Sequence, residues 1–210
     1  MIQPIYLLGS QVLRNPTVPV DGDSPSLRVL ISDMLETMRG ARGIGLAAPQ
    51  IGRSERLFVV DVSSMKDDIE ENGGEMPPQP MIFINPVMDS EFGAEDEFEE
   101  GCLSIPDIQE IVVRMDQLTI SYLDYDFQSH TKSFDGILAR VIQHEYDHIE
   151  GILFLDHLTA FKRRLLKRRL NEIIAGYTEA EYPVYTEERG VILPEFEDDE
   201  QSDDSSKGPL

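Results

Sequence analysis

The sequence has few cysteines and few basic residues, and each shortage excludes a class of protein. Cys102 is the single cysteine among 210 residues, so an intramolecular disulfide is impossible and a disulfide-stapled secreted scaffold is excluded. Lysines and arginines number 18 against 40 aspartates and glutamates, which gives a net charge of −22. That balance argues against binding of nucleic acid or of an anionic membrane by the whole surface.

Long hydrophobic runs are also missing from the chain. No stretch approaches the roughly 18 apolar residues that indicate a membrane span. Residues 1–10 lack both the basic start and the apolar length that are typical of a signal peptide. We therefore expect a cytoplasmic protein with neither a membrane nor DNA among its partners.

The composition is that of a globular protein, with 40% hydrophobic and 28% charged residues. A length of 210 residues fits one domain with an appended tail. We place the domain at residues 1–186. Residues 187–210 are acidic and rich in serine, and we expect them to form a disordered tail.

Hydrophobic periodicity and capping residues indicate a mixture of helices and strands. Ser24 and Pro25 are typical of a helix start, and Gly40 can end that helix. Two further helices are predicted at residues 136–150 and 159–175. Because strands and helices are separated along the chain, the pattern predicts an α+β fold. Mainly antiparallel sheets should pack around a central helix, the one at 136–150, with another helix near the C-terminus.

The strands are predicted from short β-branched runs at residues 57–62, 82–87, 108–115 and 118–125. Pro86 should end its strand or restrict it to a sheet edge, since proline cannot donate to the ladder. Asp116 and Gln117 are predicted to form a hairpin turn. Residues 63–80 are polar and are expected to form a surface loop.

His144, Glu145 and His148 form an HExxH motif within the predicted helix 136–150. Residues four apart on a helix have β-carbons about 5–6 Å apart, so both imidazoles can bind one metal ion. Glu145 directly follows the first histidine and can reach a water on that metal without binding the metal itself. The motif predicts a metal-dependent hydrolase in which Glu145 is the acid/base.

The third metal ligand has three candidates. The metzincin spacing would put a histidine at position 154, which is Phe154, so that pattern fails. Glu172 on a later helix would make a zincin-type metalloprotease, and His157 would bind only if the chain folded back. Cys102 remains, and one thiolate with two imidazoles and an open fourth position makes a sound catalytic site.

Three strings together resemble the peptide deformylase family: GIGLAAPQ at 43–50, EGCLS at 100–104 and QHEYDH at 143–148. Their order and separations also match the family, and the similarity covers most of the chain. The resemblance implies that residues 1–186 are a peptide deformylase-like catalytic domain. The metal ligands would be Cys102, His144 and His148, with Glu145 as the acid/base residue.

The same resemblance implies the reaction and its cofactor. The reaction is hydrolysis of the formyl group from the N-terminal formyl-methionine of newly synthesised proteins. N-formylmethionyl peptides and nascent chains are therefore the expected partners. One divalent metal ion per chain is implied; the family commonly uses ferrous iron and tolerates zinc, nickel or cobalt.

Further site residues are implied at the positions that match the family. The Gln50 side-chain amide and the Leu103 backbone N–H would donate to the oxyanion that forms on attack. The expected substrate-binding residues are those where a peptide strand can approach closely and an apolar pocket can form: Gly43, Ile44, Gly45, Ile137 and Val141.

The chain departs from the family pattern in three places. Asp107 follows Ile105 and Pro106 where many members have glycine. Residues 63–80 form a longer insertion than compact members carry, and the acidic tail has no counterpart. None of these departures includes a metal ligand.

A basic run at residues 162–169 contains six lysines and arginines on one predicted helix. It could contact the phosphates of ribosomal RNA, although a solvated helical face is the simpler interpretation. A structural metal site combined with this RNA-docking helix would make a non-catalytic protein. The presence of Glu145 and Gln50 argues against that alternative, because a structural site needs neither.

Overall fold

The structure is a computed structural model and describes residues 1–71 and 74–194. Its helices are α1 (Pro25–Gly40), α2 (Lys66–Glu71), α3 (Gly136–Ile149) and α4 (Ala160–Ile174). Its strands are β1 (Ile5–Tyr6), β2 (Gly45–Ala47), β3 (Leu57–Val60), β4 (Met81–Cys102), β5 (Ile105–Leu123), β6 (Ser129–Asp135), β7 (Val184–Thr186) and β8 (Gly190–Ile192). Short 3₁₀ helices occupy Gln11–Arg14, Ala48–Ile51, Ser63–Met65 and Phe154–His157.

The strands form a five-stranded sheet, β2-β3-β4-β5-β6, and a three-stranded sheet, β1-β7-β8. Every pairing in the larger sheet is antiparallel, whereas β1 pairs with β7 in parallel. The predicted α+β class is confirmed. No helix among the described residues has the length and apolar character needed to cross a membrane.

Helices cover both faces of the larger sheet, and β3 shows why. All four of its residues are buried. Leu57 and Val59 pack in the cluster that contains the apolar side chains of α1, while Phe58 and Val60 pack in the cluster that contains those of α3. Alternate side chains of a strand point to opposite faces, so a continuous apolar run fits a strand that is buried on both sides.

The hairpin predicted at Asp116 and Gln117 is wrong. β5 continues through both residues and pairs with β4 over its whole length, and the chain turns instead between Cys102 and Ile105. The Asp116 carboxylate accepts a hydrogen bond of 2.9 Å from the N–H of Ala94, where the register of β4 shifts. The polar pair therefore lies opposite a β-bulge, which has the same residue preferences as a turn.

The prediction for Pro86 is also wrong. β4 runs through the proline and lies between β3 and β5, so it is an interior strand. The register shifts between Ile84 and Val87, and Asn85 adopts a positive φ of 50°. A bulge removes Pro86 from the ladder, which is the way an interior strand accommodates a residue without an N–H.

Two boundaries differ from the sequence prediction. The segment 63–80 is not simply a loop, since it contains a 3₁₀ helix and α2, whose Ile69 is buried. β8 lies within the segment predicted to be a tail, because pairing with β7 orders it. The rest of the predicted tail, residues 195–210, lies outside the described residues.

Candidate active site

The two histidines of the HExxH motif lie one turn apart on α3. Their ring centroids are 5.0 Å apart and their planes are nearly perpendicular, at 81°. His148 is buried, and His144 is only slightly exposed. The helical spacing therefore directs both imidazoles to one location beneath the sheet.

Cys102, the last residue of β4, lies beside the two histidines and forms a group of three possible metal ligands with them. Its Sγ lies 3.3 Å from Nε2 of His148. One ligand atom from each of Cys102, His144 and His148 lies within 4.8 Å of the others, the only such group among the described residues. These separations fit one ion with bonds of roughly 2.0–2.3 Å, and three protein donors are the number typical of a catalytic metal site.

The charges in this group favour the thiolate form of Cys102. Burial opposes ionisation of the Cys102 thiol, but the adjacent His148 and His144 lower its pKa to about 5. Burial likewise opposes protonation of His144, yet hydrogen bonds to Cys102 and Glu100 raise its pKa well above the usual value. The thiolate is therefore the stable form of Cys102, and a thiolate is the form that binds metal.

Glu100 is a site residue for which the sequence alone predicts no role. Its Oε2 lies 2.9 Å from Nδ1 of His144. Arg114 donates to both carboxylate oxygens, at 2.7 and 3.0 Å, and Arg140 adds a third bond at 3.1 Å. Burial opposes ionisation of Glu100, but the hydrogen bonds with His144 and Arg114 hold its pKa far below the usual range. A carboxylate on Nδ1 leaves Nε2 of the same ring as the metal donor.

Glu145 lies beside the donors in a different environment. It is 4% exposed, and its Oε2 has no hydrogen-bond partner within the described part of the chain. Burial is the largest influence on its carboxyl group and raises its pKa to about 7. A carboxyl group with such a pKa exchanges protons readily at neutral pH, as a general acid/base requires.

Gln50 faces the same donors from the 3₁₀ helix that follows β2. Its Oε1 accepts a 2.8 Å hydrogen bond from the N–H of Ala47, which fixes the orientation of the amide. The Nε2 group then points to Sγ of Cys102, at 3.5 Å, and to the hydroxyl of Ser104, at 3.4 Å. The amide is thus placed as a donor toward the three possible metal ligands.

A cavity of about 1770 Å³ opens onto this group. Cys102, His144, Glu145, Gln50 and Leu103 all line it. It is also lined by every residue predicted to bind substrate, namely Gly43, Ile44, Gly45, Ile137 and Val141. The three strings noted in the sequence therefore meet around one cleft.

Comparison with known proteins identifies the family. The family model described as polypeptide deformylase matches residues 2–164. The chain belongs to the peptide deformylase family. A relative from Salinibacter ruber named peptide deformylase is 50% identical over 188 residues, covering 90% of this chain and 96% of the relative. Another from Cytophaga hutchinsonii is 46% identical over 182 residues, covering 87% and 96%.

Solved structures of the family agree with this assignment. A crystal structure of a peptide deformylase from Legionella pneumophila has a TM-score of 0.72 and 40% identity, and covers 82% of this chain and 95% of that chain. One from Synechococcus elongatus, in complex with actinonin, has a TM-score of 0.68 and 37% identity, covering 83% and 86%. The prediction of a metal-dependent hydrolase of this family is confirmed.

The other two candidate ligands, His157 and Glu172, lie away from Cys102, His144 and His148. His157 is 2.8 Å from the carboxylate of Asp147, which also accepts a bond from Arg114. Glu172 pairs on α4 with Arg168 and Arg169, at 3.0 and 3.2 Å. Neither belongs to the group of donors within 4.8 Å, which leaves the zincin-type arrangement without a third ligand.

Asp107 stands where many members of the family have glycine, and it adopts a backbone conformation that favours glycine. Its φ is +65°, in the left-handed region that favours glycine. The Asp107 carboxylate accepts hydrogen bonds from Arg169, at 2.7 Å, and from the hydroxyl of Thr178, at 3.2 Å. In this chain the side chain therefore ties the start of β5 to α4 and to the segment that follows α4.

Proposed function

We propose that this chain removes the formyl group from N-formylmethionyl peptides and nascent chains in the cytoplasm. Cys102, His144 and His148 would hold one divalent metal ion, and Glu145 would move the proton. The convergence of these three donors, next to a buried carboxylate whose Oε2 has no partner among the described residues, carries the proposal. A structural metal site would need neither that carboxylate nor an open cleft.

The residues divide the chemistry between them. A divalent ion in this site supplies a Lewis acid for the formyl carbonyl and lowers the pKa of water. Glu145 accepts the proton of the attacking water and passes it to the amine as the carbon–nitrogen bond breaks, which gives formate and a free N-terminus. The Gln50 amide and the Leu103 N–H donate to the oxyanion during attack.

The cleft has an apolar part, next to the proposed metal ligands, that could bind the methionine side chain of the substrate. Ile137 and Val141 precede His144 and Glu145 on α3, and both line the cavity. Ile44, which directly precedes β2, also lines the cavity. Its neighbours Gly43 and Gly45 have no side chains, so the backbone of a peptide substrate can approach closely there. We therefore assign the apolar pocket to the unbranched side chain of formyl-methionine.

Formate release from a formyl-Met tripeptide tests this function. The wild-type chain should release formate, and Glu145→Gln should keep its metal but lose most turnover, because an amide cannot accept the proton. Glu70→Gln, an exposed glutamate on α2, serves as the matched control and should retain full activity. Cleavage of internal peptide bonds instead of formate release would support a metalloprotease and refute a deformylase.

We propose ferrous iron as the native metal, on the strength of the family resemblance, with zinc, nickel or cobalt as substitutes. The donor set itself accepts zinc at least as readily, since it combines a thiolate with two imidazoles. The iron form should lose activity in air-saturated buffer, whereas the nickel form should remain active. Equal half-lives of the two forms in air would refute oxidation of iron as the cause.

The basic helix remains a proposed contact with the ribosome. Lys162, Arg168 and Arg169 of α4 form ion pairs within the chain. Arg163 and Arg164 form no ion pair among the described residues, so their charges are available to phosphates. Replacing both with glutamine should weaken co-sedimentation with ribosomes and its salt dependence. Unchanged co-sedimentation would exclude this role.

A further inference from the structure

The turn that joins β4 to β5 carries both Cys102 and the Leu103 N–H. Only Leu103 and Ser104 separate the paired residues Cys102 and Ile105. Hairpins with two central residues favour turns in which one or both of those residues have a positive φ. Neither Leu103 nor Ser104 is among the residues with a positive φ. The turn therefore lacks the backbone conformation that fits the twist of the two strands it joins. We infer that contacts with other segments of the chain stabilise it.

Three hydrogen bonds from three separate segments hold this turn. The N–H of Leu8 donates to the Ser104 carbonyl at 2.9 Å, and the Gln50 amide donates to the Ser104 hydroxyl at 3.4 Å. The Tyr182 hydroxyl donates to the Leu103 carbonyl at 2.9 Å. Within the described part of the chain, Tyr182 is the only side chain that bonds to the backbone of Leu103.

Tyr182 lies in a segment that the chain anchors on both sides. This C-terminal strap, residues 177–182, follows α4 and lies beyond the part matched by the family model, which ends at residue 164. Asp107 accepts hydrogen bonds from Thr178 and from the N–H of Glu179 at 3.2 and 3.4 Å. After the strap, β7 pairs with β1. These contacts fix the position from which Tyr182 reaches the turn.

Among the described residues, the Leu103 carbonyl is the only hydrogen-bond partner of the Tyr182 hydroxyl. The side chain is half-buried and lines the cleft, and burial raises its pKa, so the hydroxyl stays protonated and remains a donor. The Leu103 carbonyl that it binds shares an α-carbon with the Leu103 N–H. Holding the carbonyl therefore restricts rotation of the residue whose N–H must point at the oxyanion.

We propose that Tyr182 is a positioning residue that orients the Leu103 N–H toward the reacting carbonyl. The proposal rests on the proposed deformylase function. An oxyanion donor acts over 2.7–3.1 Å and strengthens only as negative charge develops on the carbonyl oxygen, so a misaimed donor slows turnover more than it weakens substrate binding. The C-terminal strap thereby adds a support to the site from outside the family-wide motifs.

Tyr182→Phe tests the proposal because it removes the hydroxyl and keeps the ring. Rates are measured on the metal-loaded full chain, per bound metal and well below the unfolding temperature, with a short and a long formyl-Met peptide. We expect kcat to fall about 3- to 10-fold, the effect of losing one hydrogen bond, for both peptides. KM should change less than about twofold, because only transition-state binding is lost. Tyr185→Phe, which removes a hydroxyl from neighbouring β7, is the matched control and should leave both constants unchanged.

Hydrogen exchange of the turn gives a second readout that does not depend on activity. The peptide containing Leu103 and Ser104 should exchange faster in Tyr182→Phe than in wild type, while β3 exchanges at the same rate in both. Unchanged kcat, unchanged exchange at the turn, or a rise in KM for the longer peptide alone would overturn the proposal. Absence of formate release by the wild-type chain would instead refute the proposed function.

Discussion

Gly45 lies so close to the side chain of Glu145 that a β-carbon at position 45 would force that side chain to move. A β-carbon there would lie 2.7 Å from Cδ and 2.8 Å from Cγ of Glu145, and closer still to its Oε1. Glu145 is fixed on α3 and Gly45 is paired in β2, so neither backbone can move away cheaply. The glycine in the GIGLAAPQ string thus makes room for the proposed acid/base.

Gly45→Ala should therefore displace the Glu145 carboxylate and leave the three metal donors in place. We expect kcat/KM for a formyl-Met peptide to fall about 100-fold, the loss typical of a catalytic group moved by about 1 Å. Metal content should stay at the wild-type value. Gly22→Ala is the control, since nothing lies within 4 Å of a β-carbon at that position. Near wild-type activity of Gly45→Ala would show that Glu145 does not need its present position.

Glu100→Gln should weaken the metal site through His144. The substitution keeps the shape of the side chain but removes the charge that pairs with buried Arg114 and Arg140. Loss of such a partner on a ligating histidine typically lowers metal affinity about 10- to 100-fold. Arg114 would keep only Asp147 as a carboxylate partner and Arg140 only Asp96, and loss of the buried carboxylate that they share should lower the free energy of unfolding by up to about 3–5 kcal/mol.

Metal titration and urea unfolding of Glu100→Gln measure both effects. Glu99→Gln provides the matched control, because Glu99 is the exposed neighbour on the same strand. A Glu100→Gln variant with the metal affinity and stability of wild type would show that the carboxylate neither orients His144 nor balances the arginines.

The local features of the site could be predicted from the sequence, whereas its supports could not. The HExxH spacing follows from helix geometry alone, and α1 begins at Pro25 after the N-cap Ser24, as predicted. The contacts from Glu100 to Arg114 and Arg140 join residues 14 and 40 positions apart. No periodicity in a single sequence indicates such pairs, and Glu100 stands in an acidic run that otherwise resembles an exposed surface.

The errors in the strand predictions have one physical origin. The residue types of Asp116, Gln117 and Pro86 are typical of turns and strand ends, so the sequence predicts interruptions of a strand there. In the structure each lies at or opposite a bulge, where the ladder tolerates an unpaired or missing N–H. Since bulges and turns share residue preferences, only the partner strand decides between them, and a single sequence does not reveal the partner.

The apolar pocket predicts a preference for formyl-methionine over smaller residues. Burying an unbranched side chain against Ile137 and Val141 contributes roughly 1.5–3 kcal/mol. Formyl-Ala peptides should therefore react about 10- to 200-fold more slowly in kcat/KM than matched formyl-Met peptides. Steady-state kinetics on two peptides that differ only in the first residue measure the ratio. A ratio near one would show that this part of the cleft does not bind the side chain.

The metal content of Cys102→Ala tests the central claim most directly. Cys102 is the one proposed ligand that lies outside the HExxH motif, and it lies 52 residues from Gln50 and 46 from His148 in sequence. We predict that wild type and Glu145→Gln each bind one metal ion per chain, whereas Cys102→Ala loses stoichiometric binding because two imidazoles alone hold the ion weakly. Full metal retention by folded Cys102→Ala would contradict the account.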